Sequence, residues 1–267
     1  MGVINTTPDS FSDGSQLGCS DSGRFRVDVD QTLRRAETMV AEGATFVDIG
    51  GESTRPGASA VGIGEELDRV IPVVEAIHRN LDVCISVDSS SPEVMSAAIA
   101  AGAELINDVR ALADERALTI VSESSVAVCL MHMQGQPRSM QKTFHYDDVV
   151  AEVREFLQAR VDRCLQAGMA SSRLLIDPGF GFGKSVTHNY RLLRELDALA
   201  AIGLPVLVGV SRKSMIAAVT ERALDQRLAG SLAAAVLAME RGARVVRTHD
   251  VAATMDAIRV HCACRDA

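Results

Sequence analysis

The sequence predicts an α/β protein, a single-domain (β/α)8 barrel of the TIM type that spans residues 1–267. Three observations support this fold. The 267 residues are close to the roughly 250 residues of a typical (β/α)8 barrel. Eight short apolar runs alternate with longer segments of helical periodicity, as in repeated βα units. Polar side chains recur directly after these runs, where such a barrel carries its active site.

The eight predicted strands are almost entirely apolar, rather than alternating between apolar and polar residues. Such runs are typical of parallel strands that are buried on both faces of a sheet. The hydrophobic content of 47% supplies a large core, and because aromatic residues make up only 3%, that core is aliphatic. The strands are predicted at residues 2–4, 46–49, 83–87, 104–106, 126–130, 174–176, 205–208 and 244–246.

The segments between the predicted strands carry apolar residues at helical spacing. One helix is expected to begin at Asp147 or Asp148 and to end near Gly168, because acidic residues cap helix N-termini and glycine often ends a helix. A later apolar stripe ends at Gly242 in the same way. Pro72 lies inside another stripe, where a kink or a late helix start is expected.

Two long segments, residues 6–28 and 50–64, follow the first two predicted strands. Both are rich in Gly, Ser and Asp, and neither shows an apolar stripe that would attach it to the core. Long loops in compact domains often cover an active site, so both segments are predicted to act as lids.

Composition and charge exclude several classes of protein. The formal net charge of −8, without a run of Lys or Arg, argues against binding to nucleic acid or to an anionic membrane. No apolar run approaches the roughly 20 residues of a membrane-spanning helix. No signal peptide is recognisable, so a cytoplasmic protein is expected. The six cysteines lack the paired C-x-x-C spacing of a zinc ribbon and are expected to be reduced thiols.

Polar residues at the ends of the predicted strands fall into two chemical groups. Asp88, Asn107 and Asp177 offer hydrogen-bond acceptors and an amide, a set that suits the N–H edge of a flat heterocycle. The second group is cationic and polar, and suits a phosphate or diphosphate. It comprises Arg55, Lys213, Arg247 and His249 beside Asn5 and Thr54. The sequence therefore predicts a substrate with a planar polar head and an anionic tail.

Other interpretations of these residues stay open at the level of sequence. Asp88 also fits as the cap of a helix that begins near Pro92, and Asp177 fits an Asp-Pro-Gly turn. Lys213 fits a solvated helix position, and His249 fits the start of the last helix. Spacing alone does not choose between these structural roles and a role in binding.

Several familiar motifs are missing or incomplete. The glycine-rich segment 179–185 is not a Walker A loop, because three residues rather than four separate Gly179 from Gly183 ahead of Lys184. His132, which lies between two methionines, is as consistent with a packed histidine as with a ligand. The sequence contains no H-E-x-x-H, G-x-S-x-G or C-x-x-C, so a zinc protease, an α/β-hydrolase and a thiol-redox enzyme have no support.

Eight segments resemble the motifs of the dihydropteroate synthase family, in the same order and over nearly the whole chain. The two longest are N-T-T-P-D-S-F-S-D-G at residues 5–14 and G-G-E-S-T-R-P-G at residues 50–57. The others are S-V-D at 86–88, I-N-D at 106–108, M-H-M at 131–133, D-P-G-F-G-F at 177–182, S-R-K-S at 211–214 and R-T-H-D at 247–250. Ser89 and Ser91 stand where the family often has Thr and Lys, and the first long loop is longer than usual.

This resemblance implies an enzyme of folate biosynthesis. The implied reaction condenses 6-hydroxymethyl-7,8-dihydropterin diphosphate with 4-aminobenzoate and yields 7,8-dihydropteroate and diphosphate. The resemblance also implies a (β/α)8 barrel, a Mg2+ ion bound with the diphosphate and a homodimer formed through the last helices. Sulfonamides, which mimic 4-aminobenzoate, inhibit enzymes of this family.

The resemblance assigns a role to each candidate residue. The implied pterin site consists of Asp88, Asn107, Asp177, Phe182, Lys213 and Arg247. The implied diphosphate site consists of Asn5, Thr54, Arg55, Arg247 and His249, with Mg2+ held by Asn5 and aided by Asp9. The implied 4-aminobenzoate site has Ser211 and Lys213 at the carboxylate and Phe11 and Pro56 around the ring. The implied catalytic residues are Asp9, Asp88, Lys213 and Arg247.

Two other functions are compatible with the same fold. Lys213 fits the nucleophile of a Schiff-base aldolase, in which borohydride would trap it on a carbonyl substrate. A pterin-binding protein without catalytic activity, or a corrinoid-linked methyltransferase, also fits. A methyl carrier has no diphosphate, however, and would leave Arg55, Arg247 and His249 without a ligand.

Overall fold

The computed structural model describes residues 1–7, 17–21, 24–52, 61–135 and 144–267 of the chain. Within these ranges the architecture is α/β, with a parallel eight-stranded sheet and a separate antiparallel hairpin. The strands are β1 (Gly2–Asn5), β2 (Gly18–Asp21), β3 (Arg24–Val27), β4 (Phe46–Gly50), β5 (Cys84–Asp88), β6 (Leu105–Asp108), β7 (Ala127–Met131), β8 (Leu174–Asp177), β9 (Val206–Val208) and β10 (Ala243–Val246).

The large sheet has the strand order β1-β4-β5-β6-β7-β8-β9-β10, and every neighbouring pair is parallel. Its first and last strands also meet. The amide of Val3 donates to the carbonyl of Thr248 at 3.1 Å, and the amide of Thr248 donates to the carbonyl of Met1 at 2.9 Å. The sheet is therefore curled so that its two edges lie side by side.

Helices alternate with the strands of the sheet. They are α1 (Val29–Ala41), α2 (Ile63–Asn80), α3 (Pro92–Ala101), α4 (Glu115–Glu123), α5 (Val149–Gln166), α6 (Val186–Arg194), α7 (Asp197–Ala200), α8 (Ser214–Thr220), α9 (Leu228–Glu240) and α10 (Val251–Arg265). The core that these helices and the sheet bury is mainly aliphatic, as predicted, and Phe180 is among its largest fully buried side chains. In the described part of the chain, no helix is long and apolar enough to cross a membrane.

All eight predicted strands are present, with ends that differ by one or two residues from the prediction. The difference is systematic at the carboxyl ends, where Asn5, Asp88, Asn107, Asp108 and Asp177 belong to the strands rather than to the loops after them. The backbone groups of polar residues pair in a sheet as readily as those of apolar residues. The polar side chains are therefore fixed by the sheet itself.

The helix predictions need one correction. Asp148 caps α5 by accepting from the amide of Val150 at 3.0 Å, and Gly168 follows the helix with φ +87°, as expected. The predicted late start at Pro72 is wrong, because α2 begins at Ile63 and continues across the proline. Residues on both sides of Pro72, including Val70, are buried, and this packing holds the helix together where one backbone hydrogen bond is missing.

The prediction for the first long segment is also wrong in part. Residues 18–21 and 24–27 of that segment form the antiparallel pair of β2 and β3. Leu17 and Phe25 are buried, and the guanidinium of Arg69 lies 5.2 Å from the centre of the Phe25 ring. Phe25 and Val27 alternate with charged residues, but the pattern is too short to stand out, although Phe25 attaches this part of the segment to α2.

Candidate active site

The carboxyl ends of four strands are joined by one ionic cluster around Arg247. The Nε of Arg247 donates to Oδ2 of Asp48 at 2.6 Å, and a terminal nitrogen donates to Oδ2 of Asp88 at 3.0 Å. Asp48 also accepts from the amide of Asn107 at 3.2 Å and from the hydroxyl of Ser86 at 2.5 Å. Arg247 follows β10, its two partners lie on β4 and β5, and Asn107 on β6 joins the cluster through Asp48, so these contacts cross the end of the curled sheet.

The cluster holds two buried carboxylates and one guanidinium. Burial opposes the charge of Arg247, but Asp48 and Asp88 outweigh that effect and raise its pKa above the ordinary arginine value. Burial raises the pKa of Asp88 to about 7, Arg247 opposes this shift, and Asp48 adds to it. When both carboxylates are ionised, one negative charge is in excess, and it suits a cationic or N–H-rich ligand at this position.

Asn107 presents an unused acceptor in the same cluster. Its amide nitrogen is occupied by Asp48, whereas its Oδ1 is buried and has no hydrogen-bond partner among the described residues. Buried polar atoms are nearly always paired in proteins, so an orphan at a cluster of strand ends indicates a ligand contact.

Asp177 and Lys213 form the opposite wall of the site. Asp177 is 5% exposed, and its Oδ1 accepts from the amide of Gly179 at 2.7 Å. Burial raises the pKa of Asp177, and Lys213 is the largest opposing influence. The Nζ of Lys213 donates to the carbonyl of Phe180 and lies 4.6 Å from the centre of the Phe182 ring. Because Lys213 precedes α8 and its Nζ is engaged by Phe180 and Phe182, the solvated-helix interpretation of this lysine is wrong, and burial lowers its pKa to about 8.

Ser211 and His249 are brought together at the ends of β9 and β10. The hydroxyl of Ser211 lies 3.1 Å from Nδ1 of His249 and accepts from the backbone amide of His249 at 3.3 Å. Beside them, Nε of Arg212 donates to Asp250 at 3.0 Å and its backbone amide donates to the hydroxyl of Ser231 at 2.9 Å. These contacts fix both loops to each other and to α9.

Asn5 and Asp88 lie on either side of Gly50. A Cβ added to Gly50 would be 4.0 Å from Oδ1 of Asn5 and 3.9 Å from Oδ2 of Asp88. Among the described residues, no group of three or more His, Cys, Asp or Glu side chains is placed to hold a metal ion. A Mg2+ ion that binds through phosphate oxygens needs only one or two oxygen ligands from the protein, so the amide oxygen of Asn5 fits this use.

Five of the predicted site residues lie outside the described ranges: Asp9, Phe11, Thr54, Arg55 and Pro56. The other predicted residues lie at or just after the carboxyl ends of six different strands and meet at one end of the sheet, as expected. The alternative role of Asp88 as a helix cap is wrong, because the side chain of Ser91 caps α3.

Two residues of this region were missed in the sequence. Asp48 was visible as the one charged residue of an apolar strand, and the structure makes it the centre of the ionic cluster. Lys184, considered above only as a Walker A lysine, is 3% exposed, and burial lowers its pKa to about 7. Its Nζ lies 2.9 Å from Nδ1 of His132, a buried histidine whose pKa burial lowers to about 3. His132 is therefore packed in the protein.

Comparisons with known proteins agree with this geometry. Residues 1–249 match the family described as pterin binding enzyme. The dihydropteroate synthase of Haemophilus influenzae is 52% identical over 260 residues, which cover 97% of this chain and 91% of that protein.

Two solved structures are similar over almost the whole chain. The Yersinia pestis dihydropteroate synthase in a sulfonamide complex has a TM-score of 0.92 and 47% identity, covering 99% of this chain and 93% of that one. The Burkholderia cenocepacia dihydropteroate synthase complexed with 7,8-dihydropteroate has a TM-score of 0.87 and 47% identity, covering 99% and 90%. The chain belongs to the pterin-binding enzyme family, which includes the dihydropteroate synthases.

Proposed function

We propose that this protein is a transferase that joins 6-hydroxymethyl-7,8-dihydropterin diphosphate to 4-aminobenzoate, with formation of 7,8-dihydropteroate and release of diphosphate, in folate biosynthesis. One observation carries the proposal: the strand ends bring two buried acceptors, Asn107 and Asp177, into the same site as Lys213 and Arg247. The 52% identity to a dihydropteroate synthase and the likeness to a 7,8-dihydropteroate complex support it.

In this proposal the curled sheet and its helices form one (β/α)8 barrel domain over residues 1–267. The hydrogen bonds between Val3, Thr248 and Met1 support closure of the barrel. We further propose a cytoplasmic homodimer that is sensitive to sulfonamides. The exposed apolar residues Leu237 and Val260 on α9 and α10 support an interface at the last helices.

The pterin ring occupies the space between the Arg247 cluster and the Asp177 wall. Asp177 and the free Oδ1 of Asn107 accept from the N–H groups of the pterin, and Asp88 adds negative charge. Lys213 donates to the ring, Phe182 covers one side of Lys213, and Arg247 lies against the pterin.

The diphosphate binds where β1 and β10 meet. Asn5, Arg247 and His249 belong to these adjacent strand ends, and Thr54 and Arg55 complete the site. A Mg2+ ion would be held by Asn5, with Asp9, and would supply positive charge to the leaving diphosphate. The carboxylate of 4-aminobenzoate binds near Ser211 and Lys213, with Phe11 and Pro56 around its ring.

The reaction is a substitution at the methylene carbon attached to the pterin. The bond from this carbon to the diphosphate oxygen breaks, and a bond to the arylamine nitrogen forms with loss of a proton from that nitrogen. The electron-rich dihydropterin supports a dissociative route, in which Asp88 and Asp177 stabilise the pterin cation and Arg247 and His249 stabilise the leaving group. Asp9, Asp88, Lys213 and Arg247 are the proposed catalytic residues.

Diphosphate release on mixing the pterin diphosphate, 4-aminobenzoate and Mg2+ tests this function directly. We expect release only when all three are present, together with formation of 7,8-dihydropteroate. Absence of both products from folded protein contradicts the proposal. Because the lowered pKa of Lys213 also suits a Schiff-base aldolase, borohydride treatment with carbonyl substrates provides the second arm, and we expect no covalent adduct on Lys213.

A further inference from the structure

Lys184 is a buried lysine to which the proposed function assigns no ligand. Its Nζ donates to the carbonyl oxygens of Gly179 and Phe182, both at 3.0 Å, and lies 3.4 Å from the carbonyl oxygen of His132. Nδ1 of His132 is 2.9 Å away. An ammonium group has three N–H donors, and protein acceptors take up all of them. Lys184 is therefore built into the protein and is not a substrate contact.

The backbone around Lys184 is shaped to enclose it. Gly179 and Gly183 adopt φ values of +68° and +59°, in the left-handed region that favours glycine. A Cβ at Gly179 would collide with the carbonyl of His132, and a Cβ at Gly183 would collide with the carbonyl of Gln134. The loop after β8 is thus packed directly on the chain after β7, and Lys184 joins the two segments through their carbonyl groups.

The loop Gly179–Phe182 also contacts Asp177 and Lys213, two of the residues assigned to the pterin. The amide of Gly179 donates to Asp177, the carbonyl of Phe180 accepts from Lys213, and the ring of Phe182 lies beside the same lysine. Gly179 and Phe182 therefore each contact Lys184 through their carbonyl groups and contact the proposed pterin residues through other atoms.

We propose that Lys184 is a positioning residue for the pterin end of the active site, acting through the loop Gly179–Phe182 on Asp177 and Lys213. It does not touch the substrate. The inference rests on the proposed function, because it concerns the orientation of the residues assigned to the pterin. It predicts a selective effect, since the diphosphate residues Asn5 and His249 lie on β1 and after β10, whereas this loop follows β8.

The variant Lys184→Met tests this role. Methionine has a similar length but no N–H donor, so three carbonyl oxygens lose their partner. The matched control is Arg173→Met, because Arg173 donates to the carbonyls of Val126 at 2.9 Å and Val121 at 2.6 Å near the opposite end of β8. Binding of 6-hydroxymethylpterin and of inorganic diphosphate with Mg2+ is measured separately by calorimetry, and thermal melting reports the stability of each variant.

We expect Lys184→Met to weaken pterin binding by about tenfold or more, the usual effect of losing charged hydrogen bonds, and to leave diphosphate binding within about twofold. Lys184→Arg keeps a charged donor and should recover part of the loss. Arg173→Met should lose stability while binding both ligands normally. If Lys184→Met does not fold, Lys184→Arg tests the inference instead. We expect its pterin binding to be about threefold weaker than that of the wild type and its diphosphate binding to be unchanged.

Equal losses of both ligands in Lys184→Met, or unchanged pterin binding in a folded Lys184 variant, overturn the inference. Failure of the wild-type protein to bind the pterin contradicts the proposed function itself. The two failures are therefore distinguishable, because only the second appears without any substitution.

Discussion

Asp48, whose side chain has no exposed surface, accepts a hydrogen bond from Arg247 at 2.6 Å although the two residues are 199 positions apart in the sequence. The contact spans the end of the curled sheet, because β1 lies between β4 and β10 where the two edges of the sheet meet. The same carboxylate holds Asn107 by its amide nitrogen and leaves Oδ1 of that residue unpaired. Asp48 thus orients two of the proposed pterin residues without being one of them.

Replacing Asp48 with Asn should be strongly destabilising and should reduce activity. An asparagine oxygen in the place of Oδ2 can still accept from Arg247 and Asn107, with its NH2 group towards the Ser86 hydroxyl, but Arg247 then loses one of its two carboxylate partners. Removing one partner of a buried ion pair costs about 3–5 kcal/mol, and we expect the free energy of unfolding to fall by that order. Denaturant unfolding and the rate of diphosphate release measure the two effects.

Ser86→Ala is the matched control for this substitution. It removes one hydrogen bond to the same carboxylate but leaves the ion pair in place. The expected loss is about 1 kcal/mol, with little change in turnover. Equal effects of the two substitutions contradict a central role for the ion pair.

The sequence predicted the strands and their polar ends because both signals are local. A run of apolar residues marks a strand that is buried on both faces, and Asn5, Asp88, Asn107 and Asp177 directly end such runs. The repeated βα pattern then implies that these ends meet. No knowledge of side-chain contacts is needed for that step.

The partners of each side chain could not be predicted in the same way. The contact between Asp48 and Arg247 depends on how the sheet curls, and no sequence spacing encodes it. The antiparallel pair β2 and β3 was missed because the alternation of Phe25 and Val27 with charged residues is short and lies in a segment rich in Gly, Ser and Asp. The role of Lys184 could not be recognised in the sequence. The backbone carbonyl groups that surround a buried lysine leave no sequence signature.

Replacing Asp177 with Asn should weaken pterin binding sharply. Because Oδ1 accepts from the amide of Gly179, the asparagine is expected to keep its oxygen on that side and turn its NH2 group towards the pterin. Two donors then face each other in a buried position. The loss should be about 2–5 kcal/mol of pterin binding, measured by calorimetry with 6-hydroxymethylpterin.

Binding of inorganic diphosphate is the internal control for Asp177→Asn, and it should be unchanged. A variant that binds the pterin as tightly as the wild type contradicts the assignment of Asp177 to the heterocycle. A parallel loss of diphosphate binding would point instead to a general disturbance of the strand ends.

Replacing Ser211 with Ala should weaken diphosphate binding through His249. The hydroxyl of Ser211 contacts both Nδ1 and the backbone amide of His249, so its removal leaves the ring without this constraint. A loss of about 1 kcal/mol, roughly fivefold in affinity, is the usual size for one hydrogen bond. Titration of Mg2+ and diphosphate measures it, and Ser231→Ala, which removes a partner of Arg212 instead, is the control.

A crystal grown with sulfate or phosphate provides a direct view of the same site. We expect the anion to contact Asn5, Arg247 and His249, because β1 and β10 are adjacent. An anion that binds elsewhere, while the space between Asn5, Arg247 and His249 stays empty, contradicts the proposed diphosphate site.

The stability of the protein should carry a pH dependence that originates in Asp88. Burial raises its pKa from 3.8 to about 7 in the folded protein, so between these values the folded state binds more protons than the unfolded chain. This carboxyl group therefore contributes stability that is fully present below about pH 4 and is lost as the pH rises through about 7. Asp88→Asn removes the titration, and the free energy of unfolding of the variant relative to the wild type should increase steadily between these limits. Denaturant unfolding at a series of pH values measures the difference, with Asp256→Asn, an exposed carboxylate on α10, as the control for net charge. A difference that stays constant or decreases over this range shows that Asp88 is ionised throughout and that Arg247 outweighs its burial.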